Sequence, residues 1–526
     1  MRVHTGRSLA AVALVAAVVL GSAACGGNSS SSPAKPPTDR VLHVSFLQDP
    51  GQPPDPDVYY AGQGLLLTTN TYEGLLQYQP GTSTPRIVGL LATSWSVSPD
   101  KRVYTFQLRR GVLFHDGTPF TAAAVKASFD RRLAVNQGPA YMVADVASVT
   151  TEGDYTVTIT LKESNSAFLD YLASPYGPKM MSPTALREHA GNDNAQTYLR
   201  THDVGTGPYM LTDARVGSHY ALQAFPRYWG AKPYFTAVDI PVETDLSTQQ
   251  LLLDRGQLAV IMHDLSASAV RAYRQSRSIK TYSLPTLNSD FLYVNPHRGF
   301  LTSQPARVDL LEAINVPAIF DQVFKGRASI ATQAYPAHMM PVGMAEQRIP
   351  YRPTALRSLV AALPVSERAL LIGYDSSSPD NQLVANLISV QLDQLGLTTK
   401  LQAYPTSEIY GWVSDPTGAP DLLVEGGWPD AAHPYTWAHI SWDPNGGLNY
   451  LHCSDPSITS LLPEALRTGD LQVFSQLGEL AAATGCWENL VNQDDFMAAQ
   501  PWLKGVEQAH VVTAPNTLSL AKLSVG

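Results

Sequence analysis

Charge is what this sequence has little of. Only 15% of its 526 residues are charged against 44% apolar, the balance of a folded soluble body and not of a disordered chain. A basic surplus is also missing: 36 Lys and Arg face 45 Asp and Glu, for a formal charge of −9 and a pI near 5.8. A nucleic-acid binder would need a concentrated basic face, so that class is set aside. Catalytic patterns are absent too, with no Gly-x-Ser-x-Gly elbow and no His-Glu-x-x-His helix. Ser98-Pro99-Asp100-Lys101 has a Ser-x-x-Lys spacing, but it lies in a turn before a strand where that motif must open a helix. His433, His439 and His452 cluster in sequence at intervals that fit no standard zinc set. No catalytic residue, metal or cofactor is therefore expected.

Long hydrophobic runs are missing as well. The apolar stretch Leu9–Leu20 is too short to span a bilayer comfortably. Arg2 and Arg7 precede it and Gly21, Ser22, Ala23 and Ala24 follow, which is the order of a secretory signal. Cys25 directly after these small residues resembles a bacterial lipobox, although Ser22 stands where that pattern prefers a larger aliphatic residue. The resemblance implies residues 1–25 as signal with Cys25 as the lipidation site, and 26–40, rich in Gly, Ser and Pro, as a flexible tether. Of three cysteines, Cys453 and Cys486 then remain, an even pair in an oxidising compartment. A disulfide between them is expected, two buried free thiols being the alternative.

What is present is length, enough for two or three lobes. Val41–Leu47 reads as a first strand, broken by Pro50–Pro56. Tyr104, Phe106 and Leu108 share one face of a strand, and Tyr155, Val157, Ile159 and Leu161 alternate with threonines in another. Glu152-Gly153-Asp154 turns the latter back on Val146–Thr150. Thr121 is placed to cap a helix carrying Val125 and Phe129. Further on, Ser247–Asp254 reads as a helix ended by Gly256, and Leu258–Met262 as a strand. Leu370–Tyr374, Asn381–Leu395 and Leu397–Leu401 form a strand, helix, strand unit that implies a parallel sheet, which Leu422–Val424 would join. Gly426 and Gly427 stop that last strand, and the loop beyond holds Asp430 among Trp428, Tyr435 and Trp437. Ligands of open α/β sheets settle beyond the carboxyl ends of strands, so Asp430 is either a ligand contact or the cap of a turn.

The segments Trp95–Asp100 and Tyr104–Val125, with Gly205-Thr206-Gly207-Pro208-Tyr209 and Tyr228-Trp229-Gly230, resemble the signature of the extracellular solute-binding proteins of the peptide/nickel ABC transporter family. That resemblance implies an α/β, two-lobed periplasmic-binding-protein-like fold with mixed sheets, a hinge between lobes and an extra β-rich subdomain. The expected organisation is lobe I over 41–285, including the β-rich subdomain 72–181, lobe II over 286–495 opening with Phe291–Asn295, and a return to lobe I over 496–526.

In peptide-binding members an aspartate after a second-lobe strand pairs with the ligand's free α-amine. The pattern Asp430, His433, Pro434, Tyr435, Trp437 matches that place. Asp430 is therefore expected as a ligand contact with Trp428, Tyr435, Trp437 and Asn295, the aromatic rings equally able to serve as packing. No Lys or Arg lies in this stretch to meet a ligand carboxylate, and Glu425 would repel one. The implied function is capture of a small solute, a short peptide foremost, for a membrane permease and ATPase, by a monomer anchored through lipid to the outer face of the cell membrane. Peptide sensing without transport and an exported hydrolase are the alternatives.

Overall fold

The computed structural model describes residues 34–263, 265–347 and 349–526, so the signal, Cys25 and most of the tether lie outside the described residues. One four-stranded sheet has Val41–His43 at its edge, parallel to Ala237–Pro241, followed by antiparallel His219–Ala224 and Tyr209–Arg215. Tyr209, Tyr220, Leu222, Val238 and Ile240 alternate into one buried cluster, as period-two patterning requires. Trp502, Leu503, Leu520 and Leu523 fill the same cluster as Leu42 and Val44, so the last segment packs against the first described strand.

A second antiparallel sheet runs in the order Ala92–Val97, Val103–Leu108, Thr156–Leu161, Val146–Glu152. Tyr104, Phe106, Leu108, Val157, Ile159 and Leu161 are buried, sharing a cluster with Val125 and Phe129 of the helix Ala122–Val135. The two sequence alternations are thus realised as one face. Thr121 does take the extended conformation of an N-cap, but its hydroxyl makes no capping hydrogen bond, contrary to expectation. Ser98–Lys101 is a turn, closed by Lys101 N–H donating to the Ser98 carbonyl at 2.9 Å, and feeds the strand Val103–Leu108.

The third sheet has seven strands. Its spine is two long antiparallel strands, Lys280–Val294 and Trp487–Ala499. At one end Val260–Ile261 pairs with the spine, a shorter strand than Leu258–Met262. Toward the other end come Leu422–Gly427, then Ala369–Asp375 parallel to it, then Thr398–Tyr404 parallel again. The helix Pro379–Asp393 crosses over and buries Val384, Ala385, Ile388 and Leu392 with Leu422 and Val424.

The two long strands pair with each other along most of their length. Their register slips between Pro285 and Ser289. Proline has no N–H to donate to a ladder, and a bulge is the ordinary accommodation. Thr286 Oγ1 donates to the Gln493 carbonyl at 2.8 Å and accepts from Asn288 N–H at 2.9 Å, replacing part of the lost pairing. Phe291 therefore does not start an element; it continues a strand that began at Lys280.

Cys453 and Cys486 are disulfide-bonded with Cα atoms 6.3 Å apart, tying the approach to the helix Pro456–Thr468 to the start of the strand Trp487–Ala499.

The glycine turn and the Tyr228-Trp229 loop meet on one buried carboxylate. Glu73 accepts from Thr206 Oγ1 at 2.8 Å, Tyr228 OH at 2.9 Å and Trp229 Nε1 at 2.9 Å. A Cβ on Gly207 would stand 2.6 Å from the Asn70 carbonyl, so the turn's glycine answers to close backbone approach.

Candidate functional site

The loop carrying the first-lobe side of the site is held by charge. Arg131, on the helix Ala122–Val135, donates to both oxygens of Asp55 at 2.8 and 2.6 Å and to Asp57 Oδ2 at 2.7 Å. Arg132, fully buried, donates from Nε to Asp57 Oδ1 at 2.7 Å. Buried pairs of this kind gain little net stability but fix geometry, because either partner alone would be stranded. Tyr59 OH next accepts from Gly64 N–H at 2.6 Å. These anchors present Tyr60, Ala61 and Gly62 to the cleft.

Tyr141 arrives from the short turn Gly138–Val143 after the same helix. Gly138 has φ +45°, and a Cβ there would stand 2.9 Å from Tyr60 Cβ and 3.0 Å from the Val58 carbonyl. Only glycine lets this turn lie against the Tyr60 loop.

From the second lobe, the strand Leu422–Gly427 delivers Trp428 and Asp430 past its carboxyl end. The Asp430 carbonyl accepts from Ser174 Oγ at 2.5 Å, and Ala432 N–H donates to Tyr78 OH at 2.9 Å. Tyr60 OH and Tyr141 OH, the latter at 2.5 Å, both donate to Asp430 Oδ2. Oδ1 receives no hydrogen bond from any described residue, while Asp430 lines a 260 Å³ cavity. Asp430 caps no turn: the following helix Pro434–Trp442 is capped by His433, whose Nδ1 accepts from Tyr435 N–H at 3.2 Å. Asp430 is only 6% exposed, because first-lobe tyrosines cover what the strand end alone would leave at a rim. Burial pushes its carboxyl up to about 6, against the pull of the Tyr141 and Tyr60 hydrogen bonds.

Tyr60, Tyr176, Tyr410 and Trp428 supply the cavity's aromatic wall. A more polar 280 Å³ cavity adjoins it, and the two share Ala61, Gly62, Tyr410, Gly426 and Trp428. Trp428 lines both cavities. Trp437 does not: it is 1% exposed, stacks on Phe291 at 4.9 Å between ring centroids and donates from Nε1 to the Ala334 carbonyl at 3.2 Å, packing inside the second lobe. Tyr435 stacks on His439 at 5.5 Å and fills the seam between two hydrophobic clusters without lining either cavity. Asn295 is also elsewhere, its Nδ2 donating to the Pro420 carbonyl at 2.9 Å and its Oδ1 accepting from His297 N–H at 3.0 Å. The structure brings Asp430 and Trp428 together and leaves these three as packing and loop support.

Sequence reading missed Tyr60, Tyr141 and Tyr176. A usable signal existed, since Asp55-Pro56-Asp57 and Arg131-Arg132 are paired charges in a chain with few, and tyrosines follow each pair. Burial lowers His433 to about 4 and also lowers His439, while His452 Nε2 lies 2.8 Å from the Trp412 carbonyl. Among the described residues no three His, Cys, Asp or Glu side chains converge as a metal site requires.

The mixed α/β sheets, with a lined cavity past the end of the strand Leu422–Gly427, are those of the two-lobed periplasmic-binding-protein fold. The chain belongs to the bacterial extracellular solute-binding proteins, family 5, whose middle region matches residues 86–449. It is 27% identical over 436 residues to the probable D,D-dipeptide-binding periplasmic protein DdpA of Escherichia coli K12, covering 82% of this chain and 83% of that one. Its fold matches DppA of Helicobacter pylori in complex with peptide STSA, with TM-score 0.78, 21% identity and coverage of 92% and 98%. NikZ of Campylobacter jejuni in complex with Ni(L-His) is similar at TM-score 0.81, 19% identity and coverage of 92% and 99%. The likeness carried by Trp95–Val125 is thereby borne out. The family is described as extracellular and solute-binding, and DdpA as a periplasmic dipeptide-binding protein. No helix among the described residues is long and apolar enough to cross a membrane.

Proposed function

We propose that the protein captures a short peptide or similar amine-terminated solute, exported and held at the cell surface through Cys25, and releases it to an ABC importer. The observation that carries this reading is the buried Asp430 carboxylate, which lines an aromatic cavity: one oxygen is held by Tyr60 and Tyr141, and the other accepts no hydrogen bond from a described residue. A ligand ammonium there makes a charge-assisted hydrogen bond worth about 1.5 to 3 kcal/mol in place of an uncompensated buried charge. The names of similar proteins, a D,D-dipeptide binder and a protein holding peptide STSA, support a peptide ligand. The expected lobes, 41–285 and 286–495 with the return 496–526, serve as the two jaws. Titration calorimetry with trialanine and N-acetyl-trialanine tests the site. Equal affinity for the two, or unchanged trialanine binding in Asp430→Asn, defeats it. Growth on peptides as sole nitrogen source after deletion separates import from sensing.

A further inference from the structure

The polar cavity beside the Asp430 site has a surplus of acceptors. Asp380 is matched, its two oxygens held by Arg327 at 2.6 and 2.7 Å. Asp375 is occupied by hydrogen bonds without a counter-charge, from Ser377 N–H and Thr406 Oγ1 at 2.7 Å each. Glu425 is not. It is 6% exposed, and its one described hydrogen bond is a long one, from Asn381 Nδ2 to Oε2 at 3.5 Å. Asp290, 1% exposed, accepts from Gln493 Nε2 on Oδ2 alone. Its Oδ1 faces Gly426, where a Cβ would come to 3.1 Å, so the glycine keeps the front of this carboxyl clear. Buried Asn381 Oδ1 and the neighbouring Asn288 Oδ1 also lack a donor.

Every one of these groups lines the same cavity, and among the described residues Arg327, already spent on Asp380, is the one Lys or Arg in its wall. Asp49, Asp494 and Asp495 at the wall add charge of the same sign, with Asp495 paired to His510 and His263 the one histidine there. What such a wall lacks is a cation with several N–H groups. A metal ion fits poorly, because no three of the carboxylates converge on a point. A planar guanidinium presents five N–H groups spread over its rim and can meet separate acceptors at once.

We propose that this cavity is a subsite for a cationic side chain of the ligand, a guanidinium foremost, recognised by Glu425 and Asp290. The inference rests on the reading of Asp430 as the amine site, from which the shared wall of Trp428, Tyr410 and Gly426 separates it. The preferred solute then carries two positive groups, one for each cavity. Burial holds Glu425 well above the usual carboxylate range and Asp290 at about 7, and an incoming cation reverses both.

The test compares trialanine peptides carrying one arginine at the first, second or third position with the same peptides carrying citrulline, which keeps the shape and loses the charge. Agmatine against N-carbamoylputrescine repeats the comparison without a peptide. Arginine is expected to bind roughly tenfold or more tighter than citrulline at one position, and the ratio is expected to fall toward one in Glu425→Gln and in Asp290→Asn. Equal binding within every wild-type pair overturns the proposal and needs no variant to fold. Preference for agmatine with no peptide bound upholds the subsite while defeating the peptide reading. Equal binding of free and N-acetylated peptides defeats Asp430's role and leaves the arginine to citrulline ratio as the measure of this one.

Discussion

Tyr141 OH donates to Asp430 Oδ2 across 2.5 Å, joining residues 289 positions apart on a side chain that lines the aromatic cavity. On the proposed reading, the carboxylate that meets the ligand is also the one that Tyr60 and Tyr141 hold. Tyr141→Phe removes one donor and lets the Asp430 carboxyl rise further. Amine-ligand affinity is expected to weaken at pH 6 by about 1 to 3 kcal/mol and to recover in part at pH 8, where the carboxylate is ionised in both proteins. Calorimetry at the two pH values checks this, and equal loss at both would assign Tyr141 a purely steric part.

Asp430 must be ionised to hold an ammonium, and its carboxyl sits at about 6. Affinity is therefore expected to be level above pH 7 and to fall as pH drops through 6, by up to about tenfold per unit. Binding near pH 5.5 should release close to one proton, seen as a dependence of the calorimetric enthalpy on buffer. Asp430→Asn is expected to lose both effects.

Asp290 and Asp170 are raised by burial to about 7 and about 6. A folded-state value above the unfolded one means that their share of stability is whole below pH 4 and is lost as pH rises through 6 to 7. For Asp290 the span corresponds to a few kcal/mol at about 1.4 per unit. Urea unfolding of ligand-free protein should show stability declining between pH 5 and 7.5, and a flatter profile in Asp290→Asn. An unchanged profile in the variant would place the titration elsewhere.

The Cys453–Cys486 bridge closes a separation of 33 residues, worth about 3 to 4 kcal/mol on the chain-entropy account. Reduction, or Cys453→Ser with Cys486→Ser, should lower the urea midpoint accordingly. Thiol labelling at Cys453 and Cys486 in the denatured protein should succeed only after reduction.

Much of the scaffold was legible. The alternation in Val103–Leu108 and Thr156–Leu161 marks one buried face because a strand repeats every two residues wherever it lies. The unit Ala369–Asp375, Pro379–Asp393, Thr398–Tyr404 was legible for the same reason, periodicity and punctuation being local. Thr121 shows the limit: residue type marked the cap's place but not whether the hydroxyl would turn to it.

The candidate site gathers some of the residues singled out in the sequence and not others. Asp430 and Trp428 follow a recognisable strand end, but Trp437, Tyr435 and Asn295 are as close in sequence or chemistry and point elsewhere. Helical repeat after Pro434 turned Trp437 into the core, an outcome its neighbours in sequence do not specify.

By itself, then, the sequence determined which segments become strands and helices, which cysteines were free to pair and which family the chain belongs to, because each of these is written in short-range pattern. Only the tertiary structure decided that Tyr60 and Tyr141 close over Asp430 and that Glu425, Asp290 and Asn381 share one cavity with too few donors. Those meetings join positions far apart in the chain, and they exist because two long strands fold one lobe against the other, a consequence of packing that no local run of residues encodes.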